Sequence, residues 1–389
     1  MLIIGGTGDL SRRHLLPALT RLLAKGELPE GFSLILTGLE PMSVQECRDL
    51  LARELSEHAL HDPAEARRSL VERTSYVQAD VRDPDALRAA PVTEPVLVYF
   101  ATPPEAVPAA LTALAHAEIH RAPARLVFDK PFGLDQRSAQ ELNERVRELA
   151  DARQVFRIDH FLYHHAVQQL VRARVQSDPL SLVDLLPVTD VEIVWDETRA
   201  SQAASPFYAG AMRDMIQSHL LQLAAVLTMQ SPESLTHSHF ARCRLEALKA
   251  ITAVADPSSP PRGSEPETVA VLPLRSQLPR WRGVRFLLRA ANGVGESRRH
   301  IELRFARPAQ AQPGFIRLEV LAGILALGAR GTRTAPVEFE ISSDAETAST
   351  RLLRAMLHGD DTFALDPREP VEAWRIVEPV LRPVQDGTA

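Results

Sequence analysis

"MLIIGGTGDLSRRHLLPAL", residues 1–19, carries the strongest structural signal in the chain. Four apolar residues lead into a glycine-rich turn at Gly5–Gly8, and apolar residues then recur at helical spacing until Gly26. A strand that turns through glycines into a helix directs backbone N–H groups at the helix N-terminus, where a pyrophosphate binds well. The spacing is G-x-x-G and not the full dinucleotide fingerprint, so a plain tight turn is the alternative interpretation.

Strands and helices alternate from this stretch as far as about residue 153. Strand-like runs lie at 32–38, 75–81, 94–102 and 124–131, and amphipathic segments lie between them. Regular alternation of this kind predicts a parallel, doubly wound sheet. We therefore predict a Rossmann-type dinucleotide-binding domain over residues 1–155.

The second part of the chain has a different pattern. Predicted helices at 162–175 and 211–230 flank the strand "VTDVEIVWDE" (188–197), and strand-like runs dominate from 268 to 341. This pattern predicts an α+β domain over residues 156–389, with a large, mainly antiparallel sheet and flanking helices. A Pro/Ser/Gly-rich segment at 255–267 is predicted to be a loop.

Composition narrows the class of protein. The 389 residues are 45% hydrophobic and 24% charged, with a net charge of −6, so neither a nucleic acid nor an anionic membrane is an expected partner. No apolar run reaches the ~18–20 residues of a membrane span, and the N-terminus lacks the basic start of a secretory signal. The two cysteines, Cys47 and Cys243, are far apart, which predicts no metal site and a reduced, cytoplasmic location.

The C-terminal ends of the predicted strands carry the first candidate ligand residues, because parallel sheets bind ligands at that edge. Glu40 follows the second strand, and an acidic side chain there accepts hydrogen bonds from ribose hydroxyls and repels a 2′-phosphate. This favours NAD over NADP, although Glu40 as a solvated loop residue is the alternative. Lys130 ends the strand "LVFDKP", where its ammonium group is placed to polarise a substrate oxygen.

Two later segments carry titratable side chains suited to proton transfer. "RIDHFLYHHAVQQLV" (157–171) contains Asp159, and "GAMRDMIQSHLLQLAAVL" (210–227) contains His219. An Asp–His pair makes a general base, because the carboxylate fixes the tautomer and stabilises the imidazolium. A histidine in so apolar a helix is otherwise a core residue. Asp214 lies five residues before His219, about 500° around an α-helix, so the two are not expected on one face.

These motifs together resemble the glucose-6-phosphate dehydrogenase family. "GGTGDLSRR" resembles its nucleotide loop, "DKPFG" its Glu-Lys-Pro-Phe-Gly motif, "RIDHFL" its Arg-Ile-Asp-His-Tyr-Leu signature and "RDMIQSHLLQL" its catalytic-base helix. "WRGVRFLLR" and "EAWRIVEPVL" resemble later segments, and the matches follow the family's order from residue 1 to about 382. The resemblance implies a Rossmann domain followed by a large antiparallel sheet, and a homodimer built on that sheet.

The resemblance also implies roles for the matching residues. His219 would remove the proton of the C1 hydroxyl of a hexose or hexose 6-phosphate, Asp159 would orient that imidazole, and the product would be a δ-lactone. Lys130, Asp214 and Glu197 would hold sugar hydroxyls. His160 would contact the phosphate. The cofactor, NAD or NADP, would be held by Gly5, Gly6, Thr7, Gly8, Asp9, Leu10, Glu40, Ala101, Thr102, Pro103, Lys130 and Pro131.

The departures from the family pattern concern charge. His164 stands where the family has a phosphate-binding Lys, and Asn292 replaces a second Lys. Glu40 stands in or beside the position of the family's 2′-phosphate-binding Arg. Phosphate recognition favours fixed positive charge, so the substrate is either phosphorylated and held by arginines in place of those lysines, or a modified or unphosphorylated hexose.

Two further interpretations remain open on the sequence. One is a sugar oxidoreductase that acts at a non-anomeric hydroxyl, which would yield a stable keto sugar in place of a lactone. The other is a catalytically silent homologue with a binding or regulatory role, which the lost lysines favour and the joint presence of Lys130, Asp159 and His219 disfavours.

Overall fold

The computed structural model describes residues 1–121, 123–176, 187–198, 209–254, 267–306, 314–328, 337–340 and 346–381. The chain forms two compact units. One comprises Met1–His160 and Glu346–Leu365, and the other comprises the described parts of Phe161–Ala345 and Asp366–Ala389. The sequence predicts a single boundary at residue 155; in the structure the first unit continues to His160 and includes a later segment of the chain.

The first unit contains a six-stranded sheet in which every neighbouring pair of strands is parallel. Its strands are β1 Leu2–Ile4, β2 Leu34–Gly38, β3 Thr74–Gln78, β4 Val96–Phe100, β5 Ala124–Asp129 and β6 Val155–Ile158, in the order β3-β2-β1-β4-β5-β6. This is the strand order of a dinucleotide-binding fold, in which ligands bind where the order reverses beside β1. The predicted Rossmann architecture is confirmed.

Helices of this unit connect successive strands. They are α1 Leu16–Ala24, which follows a π-helical segment at Ser11–Leu15, α2 Val44–His58, α3 Ala64–Glu72, α4 Val107–His116 and α5 Gln136–Leu149. Local sequence explains where two of them start: Ser43 and Asp135 each accept a hydrogen bond from the backbone N–H three residues later. Such N-caps satisfy donors that the first helical turn leaves open.

Segment 346–365 joins this unit through helix α9, Ala348–His358. Arg125 of β5 donates to the carbonyl oxygens of Met356 and Leu357, at the end of that helix. Arg354 forms ion pairs with Glu27 and Glu346, both at 2.6 Å. The contacts of Arg125 with Met356 and Leu357, and of Arg354 with Glu27, join residues more than 200 positions apart, so local sequence patterns do not indicate the association.

The second unit contains an eight-stranded sheet. Its strands are β7 Val188–Glu197, β8 Ile251–Ala253, β9 Val269–Ser276, β10 Arg285–Asn292, β11 Arg298–Phe305, β12 Phe315–Glu319, β13 Ile324–Gly328 and β14 Val337–Glu340, in the order β14-β13-β12-β11-β7-β10-β9-β8. Among the strands that the structure describes here, only β7 and β10 are parallel neighbours. The predicted mainly antiparallel sheet is confirmed, and the short strands β8 and β13 are additions to it.

The helices of the second unit are α6 His165–Gln176, α7 Leu221–Thr228, α8 His237–Ala250 and α10 Arg368–Leu381. A π-helical segment, Met212–Leu220, leads directly into α7. Every residue of α7 is buried, which accounts for its continuous apolar sequence. The predicted loop at 255–267 lies outside the described residues, apart from Glu267.

Among the described residues, no helix is both long enough and apolar enough to cross a bilayer.

Candidate active site

The glycine-rich turn forms a narrow junction between strand ends in the first unit. Gly5 has φ +81°, and a Cβ on it would lie 2.7 Å from the carbonyl oxygen of Ala101, which follows β4. A Cβ on Gly6 would lie 2.8 Å from Leu36 in β2. A larger side chain at either position would collide with a neighbouring strand, so these glycines let the chain turn tightly at the edge of the sheet. The structure thus brings Gly5, Gly6 and Ala101–Thr102 together, and the arrangement fits a pyrophosphate cradle.

The helix that follows this turn begins irregularly. Helical residues start at Asp9 and Leu10, and Ser11–Leu15 is π-helical before α1 continues to Ala24. The Ser11 hydroxyl donates to the Gly5 carbonyl oxygen at 3.2 Å and closes the turn from the helix side. π-Helical turns in α-helices occur often at functional sites.

Glu40 is fixed to the glycine-rich turn. The Thr7 hydroxyl donates to Oε2 of Glu40 at 2.9 Å, and the Tyr76 hydroxyl donates to the Glu40 backbone oxygen at 2.7 Å. The next arginine along the chain, Arg48, donates instead to the carbonyl oxygens of Glu72 and Thr74. The first arginine of the following helix is therefore engaged elsewhere, and the acidic side chain stands at the tip of β2 beside Thr7.

Asp129, at the C-terminal end of β5, organises the surroundings of Lys130 and His160. It accepts hydrogen bonds from the Tyr99 hydroxyl and the Lys130 backbone N–H, both at 2.8 Å, and its Oδ1 lies 4.0 Å from Nδ1 of His160. Burial acts to raise the pKa of Asp129, but the His160 ring, the Tyr99 hydroxyl and the Lys130 ammonium outweigh it, so the pKa lies below its usual value. Asp129 is an ionised carboxylate beside two predicted site residues, and sequence reasoning missed it.

The remaining predicted residues of this unit lie at the same sheet edge. Lys130 is joined to Pro131 by a cis peptide bond. Asp159 comes directly after β6, the neighbour of β5, and its side chain is buried. Thr102 and Pro103 follow β4 and precede a short 3₁₀ turn at Pro104–Ala106. Because carboxyl ends of parallel strands share one edge, these residues line the ligand-binding side of the sheet.

In the second unit, His219 lies in an aromatic cluster. Its ring stacks on Phe161, with centroids 3.8 Å apart and planes 8° from parallel. Phe161 also contacts Trp195 at 4.3 Å and His164 at 5.4 Å between ring centroids. Only 1% of His219 is exposed. The cluster joins the base-helix histidine to Phe161, which lies about sixty residues earlier in the chain.

The helix that carries His219 is π-helical where it bears Asp214 and His219. A π-helical hydrogen bond spans five residues, so positions i and i+5 lie about one turn apart. The expectation that Asp214 and His219 face different directions assumed α-helical geometry and does not hold in this segment. A pattern of apolar residues cannot distinguish the two helix types at this length.

Glu267 caps this π-helical segment. Its Oε1 accepts from the Met212 backbone N–H at 3.0 Å, and its carbonyl oxygen accepts from the Ala211 N–H at 2.8 Å. Gly210 has φ +100°, and a Cβ there would lie 2.6 Å from the Glu267 carboxylate. Asp214 accepts from the Ala209 N–H at 3.2 Å. The acidic groups satisfy the open N–H donors of the helix start, and so fix where the helix that carries His219 begins.

One face of the eight-stranded sheet carries the other predicted sugar-binding residues. Glu197 ends β7, and its register partner on β10 is Asn292. Oε1 of Glu197 accepts from Nε1 of Trp195 at 2.9 Å and from Nη2 of Arg299 at 3.3 Å. The Arg299 guanidinium carbon lies 5.4 Å from the centre of the Trp195 ring. Sequence reasoning missed Arg299, because only the pairing of β11 with β7 brings it to this face.

Two family models match the chain, one in its N-terminal part and one in its C-terminal part. The model of the family described as "Glucose-6-phosphate dehydrogenase, NAD binding domain" matches residues 2–169, and that of the family's C-terminal domain matches residues 184–260. The chain belongs to the glucose-6-phosphate dehydrogenase family. The sequence resemblance is thereby confirmed, and so is a dinucleotide-binding first domain.

Individual members of the glucose-6-phosphate dehydrogenase family agree with this assignment. The glucose-6-phosphate 1-dehydrogenase of Gluconobacter oxydans (strain 621H) is 28% identical over 97% of this chain and 89% of its own length. That of Zymomonas mobilis is 31% identical over 65% of this chain and 54% of its own length. The crystal structure of the Mycobacterium avium glucose-6-phosphate 1-dehydrogenase superimposes with a TM-score of 0.82, at 26% identity, over 98% of this chain and 90% of that one.

Proposed function

We propose that the protein is an NAD(P)-dependent glucose-6-phosphate-type 1-dehydrogenase, which oxidises the C1 hydroxyl of its sugar to a δ-lactone. The observation that carries the proposal is the stacking of His219 on Phe161, since Phe161 follows Asp159 and His160 in the family's signature segment. Relatives named glucose-6-phosphate 1-dehydrogenase match almost the whole chain and support this choice of substrate.

In the proposed reaction, His219 accepts a proton and the cofactor accepts a hydride. A nicotinamide, when bound, supplies the hydride acceptor for the hydrogen on C1. The neutral His219 imidazole takes the hydroxyl proton, and the Asp159 carboxylate orients that ring and stabilises the imidazolium. Loss of one hydride and one proton from the C1–OH group gives the lactone carbonyl.

Other predicted residues would hold the sugar. Lys130, Asp214 and Glu197 are proposed to bind hydroxyl groups of the sugar. His160, His164 and Asn292 are proposed to contact the substrate as well. A rigid arrangement of such groups lowers the barrier by fixing the reacting atoms in place. The hydrogen bonds that anchor Glu197 and Asp214 support these roles, because they restrict both carboxylates before substrate binds.

A direct assay tests the proposal. Purified protein is supplied with NAD or NADP and with glucose 6-phosphate, glucose or other aldoses and their phosphates, and reduced cofactor is followed by absorbance. We expect reduction with glucose 6-phosphate and a product that hydrolyses to an aldonic acid. A stable keto sugar would instead support oxidation at a non-anomeric hydroxyl. Absence of both turnover and cofactor binding would contradict the proposed function.

We also propose that NAD is the preferred cofactor. The Glu40 carboxylate, held by Thr7 at 2.9 Å, is suited to accept hydrogen bonds from ribose hydroxyls and to repel a 2′-phosphate. The glycine cradle at Gly5 and Gly6 fits the pyrophosphate that both cofactors share, so discrimination falls to the residue at the tip of β2.

Replacing Glu40 with arginine is expected to shift preference toward NADP. The change removes the anionic repulsion and adds a guanidinium for the 2′-phosphate, so the ratio of kcat/KM for NADP to that for NAD should rise on the order of tenfold to a hundredfold. Glu30→Arg makes the same charge change at an exposed position before β2 and should leave the ratio unchanged. A wild-type enzyme that already prefers NADP strongly would contradict the role given to Glu40.

We further propose that the enzyme is a homodimer that pairs through the outer face of the eight-stranded sheet. That face alternates acidic and basic side chains, among them Arg304 with Glu192 and Glu302 at 2.6 Å each, and it exposes 44% of Val269 and 41% of Val271. Mixed charges with exposed apolar residues suit a self-complementary interface. Light scattering at micromolar concentration should give twice the chain mass of 42.9 kDa; a single-chain mass would overturn the proposal.

A further inference from the structure

Arg299 is set apart from the other arginines on β10 and β11 by the face of the sheet it occupies. Arg289 and Arg298 both pair with Asp196, at 3.1 Å and 2.5 Å, and Arg285 and Arg304 pair with Asp190 and Glu192. Consecutive strand residues face opposite sides, so Asp196 and Glu197 lie on different faces. Arg299 is the cross-strand partner of Trp195 and contacts Glu197. It therefore shares the face that carries the predicted sugar-binding residues.

The position of Arg299 connects it to the aromatic cluster around His219. Its guanidinium lies over Trp195, and the Trp195 ring is 4.3 Å from Phe161 and 5.9 Å from His164. Phe161 in turn stacks on His219. An unbroken series of contacts thus runs from the proposed base to Arg299, with His164 beside it.

Arg299 also retains binding capacity. Its side chain is 30% exposed, so the guanidinium is not sealed between the strands. Glu197 occupies one of its nitrogens at 3.3 Å, which leaves further donors of the planar guanidinium for a second anion. Glu197 keeps a separate donor, Nε1 of Trp195 at 2.9 Å, so its position does not depend on Arg299 alone.

We propose that Arg299 is the residue that recognises the phosphoryl group of the substrate. The inference rests on the proposed function. His164 and Asn292 stand where the family has two lysines, and Arg299 would supply the fixed positive charge that these two residues lack. A guanidinium is always protonated and binds two phosphoryl oxygens side by side, whereas a neutral imidazole or an amide supplies no charge. Contact with the Trp195 ring at 5.4 Å restricts the movement of the guanidinium.

The experiment compares Arg299→Gln and Arg299→Lys with wild type on glucose 6-phosphate and on unphosphorylated glucose. Arg299→Gln should lower kcat/KM for the phosphorylated sugar on the order of tenfold to a hundredfold and change that for glucose less than about twofold. Arg299→Lys should recover part of the loss, since it restores charge without the bidentate geometry. Arg298→Gln, which removes the same charge from the opposite face, is the matched control and should not alter the ratio of the two substrates.

Inorganic phosphate separates this inference from the proposed function. Phosphate should bind to wild type and compete with a sugar phosphate, and its dissociation constant, measured by calorimetry, should rise about tenfold or more in Arg299→Gln. Equal losses on both sugars would show that Arg299 only orients Glu197, and unchanged kinetics with unchanged phosphate binding would also overturn the proposal. Phosphate binding that depends on Arg299, in a protein that oxidises no sugar, would leave the phosphate site standing and refute the dehydrogenase.

Discussion

Replacing His219 with asparagine is expected to lower kcat on the order of 10²–10⁴-fold. Asparagine approximates the size of the imidazole and keeps a polar group against Phe161, but its amide cannot accept the hydroxyl proton at neutral pH. The stacked ring at 3.8 Å and its 1% exposure fix the histidine in place, so the loss should appear in kcat with little change in KM. Steady-state kinetics on glucose 6-phosphate measure both quantities.

His116→Asn is the matched control for this substitution. His116 ends α4 on the surface of the first unit, with its side chain 48% exposed beside Asp85, so its loss should leave kcat unchanged. The pH profile gives a second readout, because the wild-type rate should fall as the base becomes protonated at low pH, and the residual rate of His219→Asn should lack that limb. Retention of more than about a tenth of wild-type activity would contradict the role of His219 as the base and would favour a different proton acceptor.

Local sequence was enough to predict the dinucleotide-binding fold of the first unit. The glycines of residues 5–8 are required by geometry that one strand, one turn and one helix define among themselves, and strand alternation predicts which edge of the sheet holds Lys130. Strand β6, which places Asp159 at the same edge, was not predicted. The position of Glu40 was predictable for the same reason, because the end of the apolar run at 32–38 marks the end of β2. These predictions depend on the spacing of residues that are close together in the chain, which can be read from a single sequence.

Features that depend on long-range contacts or on helix type were not predictable in the same way. Asp129 becomes significant only because Tyr99 of β4 and His160, which follows β6, both lie beside it. Arg299 gains its position from the pairing of β11 with β7, across about a hundred residues of sequence. The π-helical turn that brings Asp214 and His219 about one turn apart leaves the apolar pattern unchanged. Helix α9 joins the first unit through residues such as Arg125, far away in the chain.

The largest expected effect on stability comes from a buried ion pair in the second unit. Arg244 of α8 and Glu369 of α10 are both 0% exposed and form two parallel hydrogen bonds, at 3.0 Å and 2.9 Å. The guanidinium also lies 4.2 Å from the centre of the Phe240 ring. Arg244→Met should reduce the free energy of unfolding by about 3–5 kcal/mol, because it leaves the Glu369 carboxylate buried without its cation.

Denaturation in urea, followed by tryptophan fluorescence, measures this loss, since all three tryptophans lie in the second unit. Arg137→Met provides the control: it breaks the exposed Arg137–Glu141 pair, whose side chains are 87% and 53% exposed, and should cost less than about 1 kcal/mol. The double variant Arg244→Met/Glu369→Leu should recover most of the stability, because an apolar pair in the same volume carries no desolvation penalty. If the double variant is as unstable as the single one, the loss is due to packing around Phe240 and not to the stranded carboxylate.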